Sequence, residues 1–387
     1  MKIIEVTIPE HARQFILVNV MLYRDDPSYI RPLDKDVNEV FDPAKNKTYN
    51  SGETKRWLLQ DDTGNFIGRI AAYFNPKYRN KGDAFKVGGI GFFDCINDQQ
   101  AANLLFDTAR DWLKTKGVEA MDGPINFGER DKWWGLVVEG FHAPLYGMNY
   151  NAPYYQALFE NYGFKVFYNQ FCWSLRVDIR VADKFYEAHD RFINNPDIRA
   201  ERIKKNNLEK YARDFAIIYN KAWAKHEGNK EMKPALALRI FKMMKPVMDE
   251  DIVWFTYHKD EPIAMWLNVP DLNQIFRHLN GKFNLWAKLK FLWYKYRGAC
   301  TRFVGIVYGI VPEWQGTGVD YFMIIEASKI IQPRMRYKEL ELQWQGDFNP
   351  KMISISKNLG ASMSRRLVTY RYLFDPSREF KRHPILN

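Results

Sequence analysis

The chain has 387 residues and a formal net charge of +11, and 46% of its residues are hydrophobic, 27% charged and 16% aromatic. This balance is typical of a globular protein with a large core and excludes a disordered chain. At about 100–200 residues per domain the length predicts two domains, and the basic excess suits an anionic partner without choosing among nucleic acid, a membrane surface and a phosphorylated cofactor.

The cysteines and the N-terminal segment bear on metal binding and location. Cys95, Cys172 and Cys300 lie far apart in the sequence, and no Cys or His spacing matches a metal site. No apolar run approaches the ~18–20 residues that span a bilayer, and the first residues lack the apolar segment of a signal peptide. We therefore expect a cytoplasmic protein without a metal.

An internal repeat follows along the chain. Residues 57–60 and 66–74 read as a β-hairpin around a polar turn, and residues 252–256 and 262–269 read the same way. A helical pattern stops at Gly163 in the first half and at Gly360 in the second, which are 197 residues apart (360 − 163). The hairpins align at an offset of 196 (264 − 68). The repeat predicts duplication of one mixed α/β unit, with domains at 1–178 and 179–387 packed against each other.

Helical periodicity also occurs between these landmarks. Residues 99–116 and 319–331 carry apolar side chains at helical spacing, and strands follow at 117–121 and 339–344. The boundary between the halves falls near residues 176–181. A charged helical stretch is expected over 183–210, interrupted by a turn at 194–197.

A glycine-rich turn carries the chemistry. The apolar strand that begins at Phe303 runs through Val311 into Gln315-Gly316-Thr317-Gly318, and a helix follows from Val319. Backbone N–H groups at a helix N-terminus attract a diphosphate, and glycines allow it to approach closely. Neither a P-loop nor a dinucleotide-binding pattern is present, because no GKS/T and no GxGxxG occur.

This segment resembles the acyl-CoA signature of the GNAT acyltransferase superfamily, Gln/Arg-x-x-Gly-x-Gly/Ala. Gln315 and Gly318 match it, whereas Asp320 stands where the family has Gly or Ala. Segments 341–349, 359–361 and 370–372, with 123–127, 140–141 and 151–155 in the first half, resemble a bacterial tandem-GNAT family of largely uncharacterised proteins. The resemblance implies two tandem GNAT-like folds, an acyl-CoA such as acetyl-CoA as substrate, an amine acceptor and no metal.

The resemblance also implies site residues. The backbone near Ile310 and Val311 would supply an oxyanion donor, and Asn349 would lie near the pantetheine arm as well as capping a helix before Pro350. Either Glu341 or Glu313 would be the general base. The turn that holds the diphosphate would comprise Gln315, Gly316, Thr317, Gly318, Val319 and Asp320.

The sequence departs from the family at two points. Many GNAT members carry a tyrosine four residues before the glycine that ends the last helix, and it protonates the leaving thiolate. Here Ser356 and Phe159 occupy that position. The first half also has no QxxGxG after its strand at 88–95, so its acyl-CoA site is expected to be degenerate.

An insertion at 271–301 interleaves lysines with aromatic residues. Such a helix can lie on an anionic membrane, cap an acyl pocket or pack on the other domain, and packing is the favoured interpretation. No nucleic-acid-binding pattern occurs, so nucleic acid is not expected. The leading hypothesis is an acyl-CoA-dependent N-acyltransferase. The alternatives are a non-catalytic protein that binds CoA or another ligand, and a membrane-surface protein.

Overall fold

A computed structural model describes residues 1–223 and 231–386 of the chain. Within these residues thirteen strands form one mixed sheet. The strands are β1 (Lys2–Glu5), β2 (Glu53–Gln60), β3 (Phe66–Phe74), β4 (Val87–Cys95), β5 (Ala120–Gly123), β6 (Leu136–Glu139), β7 (Lys165–Arg176), β8 (Ile198–Arg202), β9 (Val253–His258), β10 (Glu261–Pro270), β11 (Arg302–Ile310), β12 (Glu339–Gly346) and β13 (Ser362–Leu373).

The same described ranges hold eleven α-helices. They are α1 (Pro9–Leu22), α2 (Asp34–Val40), α3 (Gln99–Lys114), α4 (Tyr155–Tyr162), α5 (Asp183–Phe192), α6 (Leu208–Trp223), α7 (Pro234–Met244), α8 (Asn273–Phe276), α9 (Leu285–Tyr296), α10 (Val319–Ile331) and α11 (Pro350–Asn358). None of these helices is long and apolar enough to cross a membrane.

The predicted repeat is present as two equivalent series of elements. Each half has an antiparallel hairpin, β2–β3 or β9–β10. A parallel strand pair joined through a helix follows, β4–α3–β5 or β11–α10–β12. A short helix, α4 or α11, then ends at a glycine in the left-handed region, with φ of 108° at Gly163 and 84° at Gly360. The mixed α/β class predicted from the sequence is confirmed.

The two halves share the sheet by exchanging their last strands. The order is β1-β2-β3-β4-β5-β13-β7-β12-β11-β10-β9-β8, and β6 also pairs with β13. The last strand of the second half, β13, thus lies beside β5 and β7 of the first half. The last strand of the first half, β7, pairs in turn with β12 of the second. The halves are therefore joined by backbone hydrogen bonds as well as by side-chain packing.

The stretch 183–210 differs from its prediction as a helix with a turn. It contains helix α5, strand β8 and the start of α6. Strand β8 pairs antiparallel with β9 at the end of the sheet, where Arg202 lies opposite Trp254. Edge strands often carry charged side chains. Because Arg199 and Glu201 are charged, β8 lacks the clear apolar alternation from which a strand is predicted.

Each half has its own hydrophobic core. The core of the second half surrounds β9, β10, α6 and α10. The first half has two clusters, one around α3 and α4 and one around α1 and Trp133. The insertion forms a smaller cluster that includes Phe276, Phe291 and, from the first half, Leu33. The insertion therefore packs across both halves.

Candidate active site

The strands β11 and β12 diverge part-way along their length. They pair in parallel only from Arg302–Gly305 with Glu339–Leu342. Beyond that point a cavity of about 320 Å³ opens between the strands and helices α10 and α11. Its lining is largely apolar and includes Trp266, Ile306, Ile324, Trp344, Met352 and Ile355. A cavity of this size and polarity accommodates an extended apolar or thioester-bearing chain.

Backbone groups of β11 on the side away from β10 face this gap. The Val311 N–H donates to the Ile263 oxygen at 2.9 Å. Because successive residues of an antiparallel strand direct their N–H and C=O groups to opposite sides, the backbone groups of Ile310 and Tyr308 face away from β10 and towards the gap. Of the two predicted oxyanion donors, Ile310 therefore has the required direction, whereas the Val311 N–H is already engaged.

The glycine-rich turn lies at the end of this strand. Gly316 and Gly318 have φ of 76° and 88°, in the left-handed region, and Gly318 immediately precedes α10. The Gln315 side chain donates to the Ile310 oxygen at 3.2 Å, which fixes the turn to the strand. The Thr317 hydroxyl donates to the Trp314 oxygen at 2.8 Å. The first residues of the 13-residue helix, Val319 and Asp320, are buried, whereas Gln315 and Gly316 in the turn before them are exposed. Helix N-termini attract anions, so the exposed turn is where an anion would approach α10.

An arginine that the sequence analysis did not identify lies against the turn. The Arg191 guanidinium at the end of α5 donates to the Thr317 oxygen at 3.4 Å. A Cβ added to Gly318 would lie 2.9 Å from the same Nη2 atom. The positive charge of Arg191 adds to that of the helix N-terminus. No local motif marks Arg191, because it reaches the turn from a helix that begins 136 residues earlier in the chain (319 − 183).

Asp320 is directed towards the cavity wall. It is buried and accepts a 2.8 Å hydrogen bond from the Tyr308 hydroxyl, which lines the cavity. Burial raises the pKa of Tyr308 well above its usual range, and the neighbouring Asp320 carboxylate raises it further. The tyrosine therefore stays protonated and holds the carboxylate, so the residue that departs from the family signature has a structural partner within the site.

Glu341 lies in a buried ionic cluster directly behind the cavity wall. Its Oε2 is 3.1 Å from Arg302 Nη1, and its Oε1 accepts from the Ser364 hydroxyl at 3.2 Å. Arg302 also pairs with Asp271 at 2.8 Å. Burial opposes ionisation of Glu341, but His142, Arg365 and Arg302 outweigh it, so the pKa of this carboxyl is lowered. A lowered pKa makes Glu341 a weak proton acceptor.

His142 connects this cluster to the first half. Its Nε2 lies 3.9 Å from Glu341 Oε1, and its side chain is 42% exposed. The preceding residue, Phe141, packs in a cluster with Trp344, which lines the cavity. The histidine was not singled out from the sequence, because the two partners are 199 residues apart (341 − 142).

The other predicted site residues have simpler surroundings. Glu313 is exposed on the short 3₁₀ turn after β11 and, like His142, is not among the residues that line the cavity. Its role as a base stays a prediction. The Asn349 side chain accepts from Met352 N at 3.4 Å and caps α11, as predicted. Ser356 lines the cavity, and its hydroxyl and the Gln345 amide are hydrogen-bonded at 2.7 Å.

The equivalent gap in the first half is filled by the chain itself. Strands β4 and β5 pair from Val87–Gly89 with Ala120–Asp122, and the following segment then runs along β4. The Ile125 N–H donates to the Ile90 oxygen at 2.7 Å. A Cβ on Gly91 would lie 1.9 Å from the Ile125 oxygen. The backbone that borders the cavity in the second half is therefore covered in the first half by residues 124–127.

Comparisons of the fold show what the chain is similar to. No protein-family profile matches the chain. A solved tandem GNAT protein from the clavulanic acid biosynthesis pathway superposes with a TM-score of 0.54 over 97% of this chain and 99% of its own, at 9% identity. The chain has a tandem GNAT fold. A fungal multi-domain β-N-acetylglucosaminidase with a GCN5-related glucosamine N-acetyltransferase region also superposes with a TM-score of 0.54, at 13% identity. The superposition covers 96% of this chain but only 38% of that larger protein.

Two known sequences are similar over nearly the whole tandem GNAT chain. Protein YghO of Escherichia coli is 26% identical over an alignment of 367 positions, which covers 92% of each chain. A bacterial ceramide synthase of Caulobacter vibrioides is 24% identical over an alignment of 390 positions, which covers 96% of each chain. The similarity therefore spans both halves.

Proposed function

We propose that this protein is an acyl-CoA-dependent N-acyltransferase with one active site, in its second half. The observation that supports the proposal best is the continuity of the site. A glycine-rich helix N-terminus, the gap-facing backbone of β11 and a cavity of about 320 Å³ follow one another along the gap between two diverging strands. An acyl-CoA has an anionic head and a long arm that leads to an apolar acyl chain, and it requires these environments in this order.

The donor would lie along this gap. The N–H groups at the start of α10 and the Arg191 guanidinium would bind the diphosphate of acetyl-CoA or another acyl-CoA. The backbone of Tyr308 and Ile310 would bind the pantetheine arm and polarise the thioester carbonyl. The apolar cavity lining would then receive the acyl group. The fold would supply binding and orientation rather than a covalent intermediate.

The acceptor would be an amine with a long apolar chain. A ceramide is an amide of a fatty acid with a long-chain amino alcohol, and a relative that covers 96% of this chain is named for making one. The arrangement of Trp266, Trp344, Met352 and Ile355 around the cavity suits apolar groups. We therefore place a long-chain acyl donor ahead of acetyl-CoA, and an N-acyl lipid ahead of a small acetylated amine.

The acceptor amine is protonated near neutral pH, and its ammonium would first transfer a proton to His142; the neutral amine would then attack the thioester. Imidazole is the most frequent general base, and Glu341 at 3.9 Å would orient it and stabilise its charged form. Glu341 then acts through the histidine, which agrees with its full burial and its lowered pKa. With Ser356 at the usual position of the general acid, the leaving thiolate would be protonated from water.

The two halves would divide their roles. We retain residues 1–178 and 179–387 as the two units, with the insertion at 271–301 belonging to the second. The first half would be non-catalytic, since residues 124–127 cover its gap. It would contribute Arg130 and Asp131 to the lining of the cavity, and His142 beside Glu341. The alternative, a protein that binds acyl-CoA without turning it over, differs from this proposal only in the chemical step.

The proposal is tested by release of free CoA thiol from acyl-CoA in the presence of a long-chain amino alcohol. We expect release that requires both substrates, with His142→Gln lowering kcat by about 10²-fold and leaving KM for acyl-CoA unchanged, as for loss of a general base. His11→Gln, which changes a histidine on α1 away from the site, is the matched control. Binding of acyl-CoA without any release under these conditions would favour the non-catalytic alternative.

A further inference from the structure

Helix α9 carries an unusually apolar outer surface. Six of its twelve residues are large apolar or aromatic side chains that remain exposed. They are Leu285, Trp286, Leu289, Leu292, Trp293 and Tyr296, with exposures between 50% for Leu289 and 92% for Tyr296. Single exposed apolar residues are normal, but a contiguous patch of this kind marks an interaction surface.

The opposite face of α9 is firmly packed. Phe291 lies against Phe276 and Phe283, with ring centroids 5.8 and 6.3 Å apart. Tyr294 stacks on His278 at 4.1 Å. The Asn284 side chain caps the helix by accepting from the Ala287 N–H at 3.0 Å. The helix is therefore preformed, and its outward face is fixed by this packing on the inward face.

The exposed side chains form one face, bordered by positive charge. At about 100° per residue, the six apolar side chains fall within an arc of about 120°. Lys288 and Lys295 border this arc on one side, and Lys290 and Arg297 border it on the other. Residues 272–301 contain six Lys and Arg residues and no Asp or Glu. A protein partner would need both an apolar groove and an acidic rim to match this surface, whereas an anionic bilayer supplies both in one plane.

We propose that α9 docks the protein on an anionic lipid bilayer, with its axis in the plane of the interface. The apolar face would enter the boundary between headgroups and acyl chains to a depth of about 5–10 Å. Trp286, Trp293 and Tyr296 have the amphipathic rings that favour this depth. Of the flanking basic side chains, the exposed Lys288, Lys290 and Arg297 would bind lipid phosphates, whereas Lys295 donates to the Pro246 oxygen. The helix lies on the membrane and does not cross it.

Docking would also serve the active site, and this step rests on the proposed function. A long-chain amine resides in a bilayer, whereas acyl-CoA is held in water by its charged head. The insertion begins at Asp271, whose carboxylate pairs with Arg302 at the start of β11. Asp271 N also donates to the Arg302 oxygen at 2.9 Å. The docking helix is thus joined rigidly to the strand that lines the cavity.

The test is flotation of the full chain with vesicles of phosphatidylcholine mixed with phosphatidylglycerol, and with phosphatidylcholine alone. We expect the protein to float with the mixed vesicles, to bind less as salt rises, and to bind pure phosphatidylcholine at least about tenfold more weakly. Trp286→Ser with Trp293→Ser should lower the partition coefficient by about tenfold or more. Met243→Ser with Met335→Ser, which removes two exposed apolar side chains elsewhere, should leave it unchanged.

A charge reversal separates the electrostatic contribution. Lys288→Glu with Lys290→Glu should weaken binding to the mixed vesicles and abolish its salt dependence, whereas Lys45→Glu with Lys47→Glu makes the same change of net charge at a distant surface and should bind as the wild type. The proposal is overturned if the wild type does not float with the vesicles, or if the two tryptophan substitutions leave its binding unchanged. It is also overturned if the wild type is a dimer that does not bind vesicles and the tryptophan substitutions convert it into a monomer. Acyl-CoA binding measured without vesicles does not depend on membrane docking, so it tests the proposed function separately.

Discussion

Glu341 shows how a buried charge depends on its neighbours. Its carboxylate is fully buried between Arg302 and Ser364, and Arg365, also fully buried, has Nε and Nη1 without a hydrogen-bond partner among the described residues. Removing one member of such a cluster leaves the opposite charges uncompensated, which costs more than the pair itself contributes. The cluster therefore makes Glu341 a structural residue, in addition to the positioning role proposed for it.

Glu341→Gln is expected to lower the free energy of unfolding by about 2–4 kcal/mol near neutral pH, because Arg302 loses a counter-charge. The pKa of Glu341 is lowered from its ordinary value of 4.5. Its stabilising contribution is therefore complete above that value and is lost as the pH falls through the folded-state pKa. Urea unfolding of both proteins from neutral to acidic pH should show the difference closing in acid.

The matched control is Glu339→Gln on the same strand. Its Oε2 is 3.7 Å from Arg302 Nη1, but its side chain is 41% exposed, so solvent screens it and the change should be small. Equal stability of Glu341→Gln and the wild type at neutral pH would show that the cluster is not an ionic unit.

At the residue scale the sequence predicts what a local motif encodes. Gln315, Gly316 and Gly318 were identified because their spacing within a strand–turn–helix is informative by itself. Arg191 and His142 were not, because each reaches its partner from a distant segment and neither has a local pattern. The sequence predicts an oxyanion donor at Val311, but the Val311 N–H pairs with the Ile263 oxygen. The prediction fails because the direction of a backbone group depends on strand register, which the sequence does not display.

At the scale of elements, close backbone packing holds the segment that fills the gap of the first half. Residues 124–127 run beside β4, and Gly91 permits this approach because it has no Cβ. The sequence indicated a degenerate acyl-CoA site from the absence of QxxGxG. It did not indicate that the chain itself covers the gap, because this depends on how a loop of ordinary composition folds back.

Gly91→Ala is expected to destabilise the protein by about 2–3 kcal/mol, because its Cβ would meet the Ile125 oxygen and force the two segments apart. Thermal unfolding of the variant and the wild type provides the measurement. Gly128→Ala in the same loop is the control, since its Cβ would meet only the Asn126 side-chain amide, at 3.3 Å. A Gly91→Ala protein as stable as this control would mean that residues 124–127 are loosely held.

At the scale of the whole molecule, the exchange of β7 and β13 makes each half depend on the other. The repeat was readable from the sequence through the matching offsets of its hairpins and helix ends. The exchange was not, because no local pattern in β7 or β13 shows which strands each of them lies beside. Strand pairing of this kind is decided by the connections and by the neighbouring cores rather than by the strand sequence.

We expect a single cooperative unfolding transition, because β13 has all its strand partners, β5, β6 and β7, in the first half. Tryptophan fluorescence and far-ultraviolet circular dichroism should give the same midpoint, and Gly91→Ala in the first half should shift both together. Two separate transitions, of which Gly91→Ala moves only one, would show that the halves are independent domains despite the shared sheet.

The central claim is that this tandem fold binds one acyl-CoA per chain, in the second half. Titration calorimetry of the purified protein with acetyl-CoA and with a long-chain acyl-CoA tests it most directly, alongside Gly316→Asp and Gly316→Asn. Position 316 is open and has φ of 76°, which Asp and Asn both tolerate, so the pair differs only in charge at the anion site. We predict one site per chain, tighter binding of the long-chain donor, and affinity about tenfold or more weaker in Gly316→Asp than in Gly316→Asn. Two sites per chain, no binding of either donor, or equal affinity in the two variants would contradict the account.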